Sequence, residues 1–425
     1  MRLRILHLFY LTLFSPILSL VLGLRDRGLL VKRSAIILFS IAYGATLTLS
    51  EESDGTRHLA YAEDYYQNMS LAQFYEESIA ILSLSPIHPA QDDIYLHALS
   101  YIVSSLIGLP GALFFFAGLI YGIFYSGAII RLIQLFRLDK SRTWSVMAGL
   151  FLIIFAIGKS FETINSIRTW TGFWVLAYGV LTYLYTARRR HLIWVIATPL
   201  IHFAYGVMAI PALVVLIFKP RPIIFSVIFA LSFFIRPDAN YIRTSLALGD
   251  LGKNKVELYY DEENASLSWV QKEYGGTRFY NQYNRLRAQD YVVSILAFFF
   301  ILSGFYRRRM KRDESILFSI GILTIAVSKY LQFMSDLSNR ISIIGFLFLC
   351  ASFFLILSRL DIQYRGNSIL KALTILTLIG LSPFFLYKIS DFLYFTSLYM
   401  IFLPLTAVIL PEVNISVQEF IKSIL

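Results

Sequence analysis

The segment IIGFLFLCASFFLIL (Ile343–Leu357) contains no charged residue and is apolar all around a helical wheel. Continuous apolar runs of this kind, without the alternation of a half-buried strand, are typical of helices that cross a bilayer. Its cysteine, Cys350, is the only one in the chain, which excludes an intrachain disulfide. Plain packing is therefore its expected role.

The same pattern extends over the whole chain of 425 residues. Hydrophobic residues make up 57% of it and charged residues 15%, and the mean hydropathy is +0.64. A soluble domain is about half apolar and about a quarter charged. Because backbone groups in a bilayer must bond internally, long apolar runs form helices. The sequence therefore predicts an all-α polytopic integral membrane protein, with residues 1–425 forming a single membrane domain.

The positions of the basic residues predict the topology. Candidate spans lie near residues 5–24, 34–49, 109–133, 145–162, 168–186, 222–235, 291–306, 314–333, 341–358, 368–386 and 392–410. Basic clusters between them, expected on the cytoplasmic side, occur at residues 25–33, 131–142, 188–190 and 307–312. The apolar stretch 191–218 fits best as a short helical hairpin. The count is then about 12 or 13 crossings, and 13 crossings place the N-terminus outside.

Two sizeable loops are expected on the external side. The first covers residues 50–108, carries a net charge of −8 over residues 51–93 and ends in a short interfacial helix. The second covers residues 236–290 and contains eight acidic and eight basic residues. Both are rich in Tyr, Asn and Gln, which suits the stacking and bonding of sugars. An ordinary ordered cap with interfacial aromatics remains an equally good interpretation.

Charged side chains concentrate at the external ends of the spans. In NSIRTWTGFWVLAY (Asn165–Tyr178), Arg168 stands at the mouth of an apolar run. Ionisable residues at membrane depth are costly and often mark a function. Arginine grips phosphate through two parallel hydrogen bonds, so several arginines would hold a lipid-linked diphosphate. The alternatives are depth anchors for the arginines, a helix contact for His202, a helical pair for Lys159 with Glu162, and helix capping for Asp92 and Asp93.

Other chemistries lack their sequence signals. The chain contains no nucleotide-binding GxxxxGK[ST], no HExxH and no CxxC. No soluble domain is large enough for nucleotide chemistry, so energy would come from an activated, lipid-linked sugar. Neither a cofactor nor a metal is expected, although the adjacent Asp92 and Asp93 leave a metal slightly open. The net charge of +11 is explained by topology signals, so no nucleic-acid partner is expected.

Several short motifs carry a family resemblance. An acidic, tyrosine-rich first external loop precedes INSIRTW, then an internal RRR, then PLIHFAYG in a short apolar hairpin. In this order the chain resembles bacterial polysaccharide polymerases of the Wzy/EpsG type over about residues 50–220. SDLSNR before a late span fits more loosely. The resemblance implies a GT-C-like membrane enzyme that joins undecaprenyl-diphosphate-linked oligosaccharide units at the outer face of the inner membrane.

Roles for individual residues follow from the resemblance together with the residue chemistry. The candidate catalytic residues are His202, Asp336 and Asp54. The candidate diphosphate ligands are Arg168, Arg340, Arg236 and Lys159. The candidate sugar contacts are Arg57, Tyr65, Tyr66, Asp92, Asp93, Tyr205, Arg278 and Tyr280. Membrane lipids and a chain-length regulator are further candidate partners; a single-sugar transferase or a flippase is the alternative function.

Overall fold

The computed structural model describes residues 2–49, 53–85, 87, 93–235, 279–285, 287–332, 334–363, 368–401, 404 and 414–424. These residues are predominantly helical and contain no strand, although one antiparallel bridge joins Ser397 and Ser416. Within the described part of the chain, four stretches are long and apolar enough to cross a membrane: Pro110–Leu138, Val146–Thr186, Asp336–Leu360 and Ser368–Phe395. Shorter apolar helices accompany them. The predicted all-α polytopic membrane class is confirmed.

The first fourteen helices lie before residue 232. They are α1 (Arg2–Phe14), α2 (Pro16–Arg25), α3 (Leu29–Ala45), α4 (Asp54–Asp64), α5 (Leu71–Leu82), α6 (Ile94–Tyr101), α7 (Leu113–Leu138), α8 (Val146–Ile157), α9 (Ile167–Thr186), α10 (Ile193–Ile196), α11 (Thr198–Ile201), α12 (Tyr205–Met208), α13 (Ile210–Phe218) and α14 (Pro222–Leu231). A π-helical turn follows α6 at Ile102–Leu106, and 3₁₀ turns lie at Pro110–Ala112, Phe161–Ser166 and Arg189–Leu192.

The remaining described helices follow residue 278. They are α15 (Phe279–Arg285), α16 (Ala288–Leu302), α17 (Phe305–Arg308), α18 (Arg312–Tyr330), α19 (Ser335–Gln363), α20 (Ser368–Gly380), α21 (Ser382–Phe395) and α22 (Val417–Ile424). A 3₁₀ turn lies at Leu398–Met400. By its internal contacts the chain divides into two compact units. Unit 1 comprises Met1–Gln134, Lys159–Phe203 and Ile389–Leu425, and unit 2 comprises Leu135–Gly158 and Ala204–Lys388.

The first candidate span, residues 5–24, is a helical hairpin rather than a crossing. Ser15 caps α2 and Pro16 begins it, so the apolar run breaks between α1 and α2. At the open end, Nη1 of Arg4 lies 2.8 Å from Oδ2 of Asp26. Arg4 and loop 25–33 therefore lie at the same end of unit 1. This corrects the prediction that the two ends of the run face opposite sides.

Small residues hold this hairpin together and against α3. The hydroxyl of Ser19, on α2, donates to the carbonyl of Leu8, on α1, at 2.9 Å. A Cβ atom added to Gly23 would lie 2.2 Å from Cβ of Ala35, so α2 and α3 approach too closely for any larger residue. Without a hydrophobic force between helices in lipid, this kind of close contact supplies the association.

At the last candidate span, residues 392–410, the described residues 397 and 416 lie together. Ser397 pairs with Ser416, and the amide of Val417 donates to the carbonyl of Thr396 at 2.8 Å. Nδ2 of Asn414 donates to the carbonyl of Thr46, directly after α3, at 3.1 Å. Residues 397 and 416 thus meet at the same end of α3. Together with the N-terminal hairpin, this lowers the predicted number of crossings by two.

In unit 2 a network of ion pairs, buried at Glu314, joins the segment before α8 to the start of α18 and to α19. Glu314, which is fully buried, accepts from Nη2 of Arg142 at 3.2 Å and from Nη2 of Arg359 at 2.7 Å. Nζ of Lys311 lies 2.6 Å from Oδ2 of Asp139. The basic segments before α8 and before α18 therefore lie together, as their common cytoplasmic prediction requires.

Two predicted regions are described only in part. The division between the units falls within 191–218, between Phe203 and Ala204, so the predicted hairpin stays a prediction. Its helices α10 to α13 are all short. Most of the second external loop, 236–290, lies outside the described residues; the part that is described includes α15 and the start of α16.

The N-terminal hairpin predicts a labelling pattern. In a Cys350→Ala background, cysteines replacing Arg4 and Arg27 should react with a membrane-impermeant maleimide from the same side. A cysteine replacing Tyr75, in the predicted first external loop, should react from the opposite side, because the predicted span 34–49 crosses the membrane between loop 25–33 and that loop. Intact and opened vesicles distinguish the two sides. Labelling of positions 4 and 75 from one side, with position 27 on the other, would contradict the hairpin.

Candidate functional site

The centre of the candidate site in unit 1 is the carboxylate of Asp93. Asp93 stands directly before α6 in an extended conformation, but its side chain makes no capping bond to that helix. Capping, the simpler interpretation of this residue, is therefore not its role. The side chain turns away from α6 towards two other segments of unit 1, the start of α9 and the chain after α11.

Three donors meet at this carboxylate. Nη1 of Arg168 lies 2.9 Å from Oδ2 of Asp93, and Nδ1 of His202 lies 3.1 Å from the same oxygen. The backbone amide of Phe203 donates to Oδ1 at 2.5 Å. The side chain of Asp93 is fully buried, whereas 15% of the Arg168 side chain remains exposed. The structure thus brings together three residues that the sequence analysis selected separately.

The neighbours of this buried carboxylate keep it ionised. Burial by itself raises the pKa of Asp93, but the adjacent His202 ring, the Arg168 guanidinium and the Phe203 hydrogen bond outweigh burial and lower the pKa to about 2. Removing one partner from a buried ion pair leaves an uncompensated charge and typically costs about 3–5 kcal/mol. Arg168 and Asp93 therefore stabilise unit 1 as well as shaping the site.

The bond to Asp93 also fixes which nitrogen of His202 can accept a proton. His202 lies just after α11 with extended backbone angles, φ −153° and ψ 120°, which turns its ring towards Asp93. Because an ionised carboxylate only accepts, Nδ1 must carry the hydrogen in this bond. In the neutral ring the lone pair then lies on Nε2. The pair therefore has the arrangement of a carboxylate-oriented general base.

His58 is a further member of the site that the sequence analysis missed. It lies on α4, whose start is attached to the turn before α9 because the amide of Gly55 donates to Oδ1 of Asn165 at 3.0 Å. Burial and the charge of Arg168 lower the pKa of His58 to about 3, so its ring is neutral at physiological pH. In the sequence, the one indication that His58 belongs to the site was its position next to the candidate residues Asp54 and Arg57.

Asp54 and Arg57 themselves form an ion pair at the start of α4. Their side chains are 41% and 72% exposed, so the pair faces solvent rather than the buried carboxylate. Both act electrostatically on His58, Asp54 raising and Arg57 lowering its pKa. The structure therefore places both near the site, at its exposed edge.

The two selected tyrosines of the first external loop belong to an aromatic cluster. Tyr66 is 2% exposed, and its hydroxyl lies 2.7 Å from Nδ1 of His97. The hydroxyl of Tyr65 donates to Oε1 of Glu77 at 2.5 Å. His97 lies one helical turn after Asp93, and its amide donates to the Asp93 carbonyl at 3.1 Å. Tyr66 thus supports α6 and the position of Asp93 from within the core, instead of presenting an open ring to a sugar.

Lys159 lies in unit 1 but not at the carboxylate. Its Nζ is 3.9 Å from the centre of the Trp170 ring, which is a close cation–π contact. Its carbonyl accepts from the hydroxyl of Tyr121 at 2.8 Å and from Nε1 of Trp174 at 2.9 Å. These two bonds satisfy the Lys159 carbonyl at the point where the helical stretch Val146–Thr186 is interrupted, between the end of α8 and the 3₁₀ turn Phe161–Ser166.

Other selected residues belong to unit 2. Nη2 of Arg340 pairs with Oδ2 of Asp336 at 2.7 Å, one turn apart on α19. Tyr205 is completely buried at the start of α12. Tyr280 lies on α15. All four of these residues lie in unit 2.

Unit 2 contains a second buried carboxylate, which the sequence analysis did not select. Asp290 is 1% exposed; its Oδ2 accepts from the hydroxyl of Ser342, and its Oδ1 has no hydrogen-bond partner among the described residues. Nζ of the buried Lys329 lies 3.9 Å from the centre of the Tyr291 ring. In the sequence, the one indication of a buried Asp290 was the position of this acidic residue directly before an apolar run.

Three selected residues, Asp92, Arg236 and Arg278, lie outside the described residues. Their predicted roles, diphosphate binding for Arg236 and sugar contact for Asp92 and Arg278, therefore stay predictions. The candidate residues Arg168 and His202 are among the described residues.

Gly55 is predicted to be essential to the attachment of α4. A Cβ atom there would lie 2.2 Å from Oδ1 of Asn165 and 2.7 Å from Cδ2 of Leu49. Gly55→Ala should therefore lower the stability by about 1–3 kcal/mol, the usual cost of overpacking. Gly111→Ala is the matched control, because no atom lies within 4 Å of its added Cβ. Equal thermal unfolding temperatures for the two purified variants would contradict this attachment.

The lowered pKa of His58 predicts a pH dependence of stability. Below about pH 6.5 an unfolded histidine takes up a proton, but folded His58 does not until about pH 3. Stability contributed by the neutral ring is thus full above pH 6.5 and falls as the pH decreases towards 3. His58→Gln should flatten this part of the stability curve, measured by thermal unfolding between pH 7 and 4. Curves of identical slope would show that His58 is not held neutral.

Comparison of the chain with protein-family models, with curated proteins and with solved structures returned no match. The resemblance noted in the sequence therefore stays a prediction. What can be said about function rests on Asp93, Arg168 and His202 and on the membrane class of the fold.

Proposed function

We propose that the protein is a membrane glycosyltransferase that polymerises undecaprenyl-diphosphate-linked oligosaccharide repeat units, for O-antigen, capsule or exopolysaccharide. The observation that carries the proposal is the buried carboxylate of Asp93, bonded to both Arg168 and His202. It combines a base oriented for proton transfer with a cation suited to a diphosphate. Glycosyl transfer from a lipid diphosphate needs both functions within one site.

In the proposed step His202 is the general base. A hydroxyl of the incoming sugar attacks the anomeric carbon of the chain that is carried on lipid diphosphate. The bond from this carbon to the hydroxyl oxygen forms, and the bond to the diphosphate oxygen breaks with its electron pair leaving on the diphosphate. The hydroxyl proton passes to Nε2 of His202. The positive ring that results is stabilised by Asp93, whose charge lies 3.1 Å from Nδ1.

Arg168 would bind the departing diphosphate. Its guanidinium has five N–H donors in a planar fork, and Nη1 donates to Asp93. The exposed 15% of its side chain offers access from outside the core. Charge that develops on the leaving diphosphate is stabilised by such a fixed cation, which lowers the barrier of transfer.

The location of the reaction follows from the topology predicted by the basic loops. Arg168, at the start of α9, is expected at the outer face of a bacterial inner membrane, the level of the headgroups. A lipid-linked substrate needs a site at this depth. In unit 2, Asp336 stays a candidate base and Arg340 a candidate ligand of the diphosphate, and a chain-length regulator stays a candidate partner.

The test compares surface polysaccharide from a host that lacks this gene and carries the wild type or a variant. The wild type should give a ladder of repeats on a gel, whereas Arg168→Ala should give mainly single repeat units. His202→Asn should lower the polymerisation rate by about 10²–10⁴-fold, the usual contribution of a general base. Arg189→Gln, on the exposed internal turn before α10, is the control and should restore the full ladder.

Two results would overturn the proposal. If deletion leaves the ladder intact and removes one sugar from each unit, the protein adds single sugars. If lipid-linked units accumulate on the inner leaflet, it transports them. A full ladder with both Arg168→Ala and His202→Asn, at wild-type protein levels, would separate this site from polymerisation.

A further inference from the structure

The helix α22 (Val417–Ile424) of unit 1 has an open apolar face, and none of its residues is buried. Its apolar side chains are those of Val417, Phe420, Ile421 and Ile424. Because they are spaced i, i+3, i+4 and i+7, they share one side of the helix. The last three are 38%, 41% and 67% exposed. The opposite side carries only polar or charged side chains, so α22 is amphipathic along its whole length.

A helix as short as α22 is not stable by itself in water. Helices shorter than about 12–15 residues are marginal without packing, because the first turn fixes several residues for one hydrogen bond. A capping box favours the start of α22. Oγ of Ser416 accepts from the amide of Glu419 at 3.1 Å, and Oε2 of Glu419 accepts from the amide of Ser416 at 2.8 Å. Since this box supports only the first turn, the apolar face needs a further environment that favours it.

Two hydrogen bonds determine the level of α22 relative to a membrane. The amide of Val417 donates to the carbonyl of Thr396 at 2.8 Å. Thr396 directly follows Ser368–Phe395, which is long and apolar enough to cross a membrane. Nδ2 of Asn414 donates to the carbonyl of Thr46, directly after α3, at 3.1 Å. The start of α22 is therefore tied to the point where a candidate membrane span ends, which is the level of the lipid headgroups.

The length and the charges of α22 exclude a crossing. Its eight residues extend about 12 Å at about 1.5 Å per residue, whereas the hydrocarbon core of a bilayer is about 30 Å thick. Glu419 and Lys422, on the polar side, would be costly within that core. A helix that lies in the plane of the interface satisfies both sides, because its apolar side chains contact acyl chains and its charged side chains stay in water.

We propose that α22 lies in the plane of the outer leaflet and that its apolar face binds the lipid surface, at the boundary between headgroups and acyl chains. The outer leaflet follows from the predicted topology, since α3 begins after the basic loop 25–33 and its other end is Thr46. The apolar face carries no charge, so the surface of a zwitterionic lipid is sufficient. The inference is independent of glycosyl transfer, because Asp93, Arg168 and His202 lie outside α22.

The test measures the depth of two positions on opposite sides of α22. The full chain, in a Cys350→Ala background, carries either Ile421→Cys on the apolar side or Ser423→Cys on the polar side. Each cysteine is labelled with the fluorophore NBD, and the protein is reconstituted in phosphatidylcholine vesicles. One quencher is phosphatidylcholine with a nitroxide at carbon 5 of its acyl chain; the other is iodide, present on both sides of the vesicle membrane.

The account predicts opposite responses two residues apart. Nitroxide lipid should quench the label at position 421 several-fold more than the label at position 423. Iodide should quench the label at position 423 several-fold more than the label at position 421. The two labelled chains are matched controls for each other, because they share the same helix, fluorophore and vesicle.

A second pair of variants tests whether the apolar face causes the insertion. In the chain labelled at position 421, Phe420→Asp should lower the nitroxide quenching and raise the iodide quenching, because it places a charge on the lipid side. Gln418→Asp adds the same charge on the polar side and should leave both values unchanged. An equal effect of the two substitutions would contradict insertion through the apolar face.

Three results with the labelled chains would overturn the proposal. Equal nitroxide quenching at positions 421 and 423 would show that the helix does not lie in the plane of the interface. Strong iodide quenching at both positions would place α22 in water. Protection of position 421 from both quenchers would show that a protein surface, such as a second copy of the chain, covers the apolar face instead of lipid.

Discussion

A carboxylate removed from water must be matched by nearby cations and donors, and at Asp93 this constraint joins three segments of unit 1. Arg168 comes from the start of α9, His202 and the Phe203 amide from the chain after α11, and Asp93 from the start of α6. If any one of them moved, a buried charge would be left uncompensated. The same constraint orients the imidazole, so the interaction that stabilises unit 1 also prepares the proposed base.

The sequence predicted the helical membrane class because long apolar runs leave a backbone few other ways to satisfy its hydrogen bonds. It also selected Arg168, His202 and Asp93, since charges beside apolar runs are costly and rarely accidental. It could not show that they meet. Asp93 is 75 residues from Arg168 and 109 from His202. His58 was missed for the same reason, because α4 is brought to the site by contacts such as the bond between Gly55 and Asn165, 110 residues apart.

The reversals of the chain were harder to predict than its helices. Hydropathy measures how apolar a run is, but not where the run turns back. Residues 5–24 contain no Asp, Glu, Lys or Arg and are mostly apolar. The turn depends on Ser15 with Pro16 and on the pairing of Arg4 with Asp26. The meeting of Ser397 with Ser416 depends likewise on contacts that no local pattern shows, including the bond from Asn414 to Thr46. In both places a polar contact between distant residues decided the path.

The most direct test of the account is the tautomer of His202, measured by ¹⁵N NMR of protein labelled at its six histidines. The His202 signals are assigned by their loss in His202→Asn. At pH 8 the account predicts a neutral ring with its hydrogen on Nδ1, and a change in these signals in Asp93→Asn. A hydrogen on Nε2, with signals that do not respond to Asp93→Asn, would contradict the claim that Asp93 orients the proposed base.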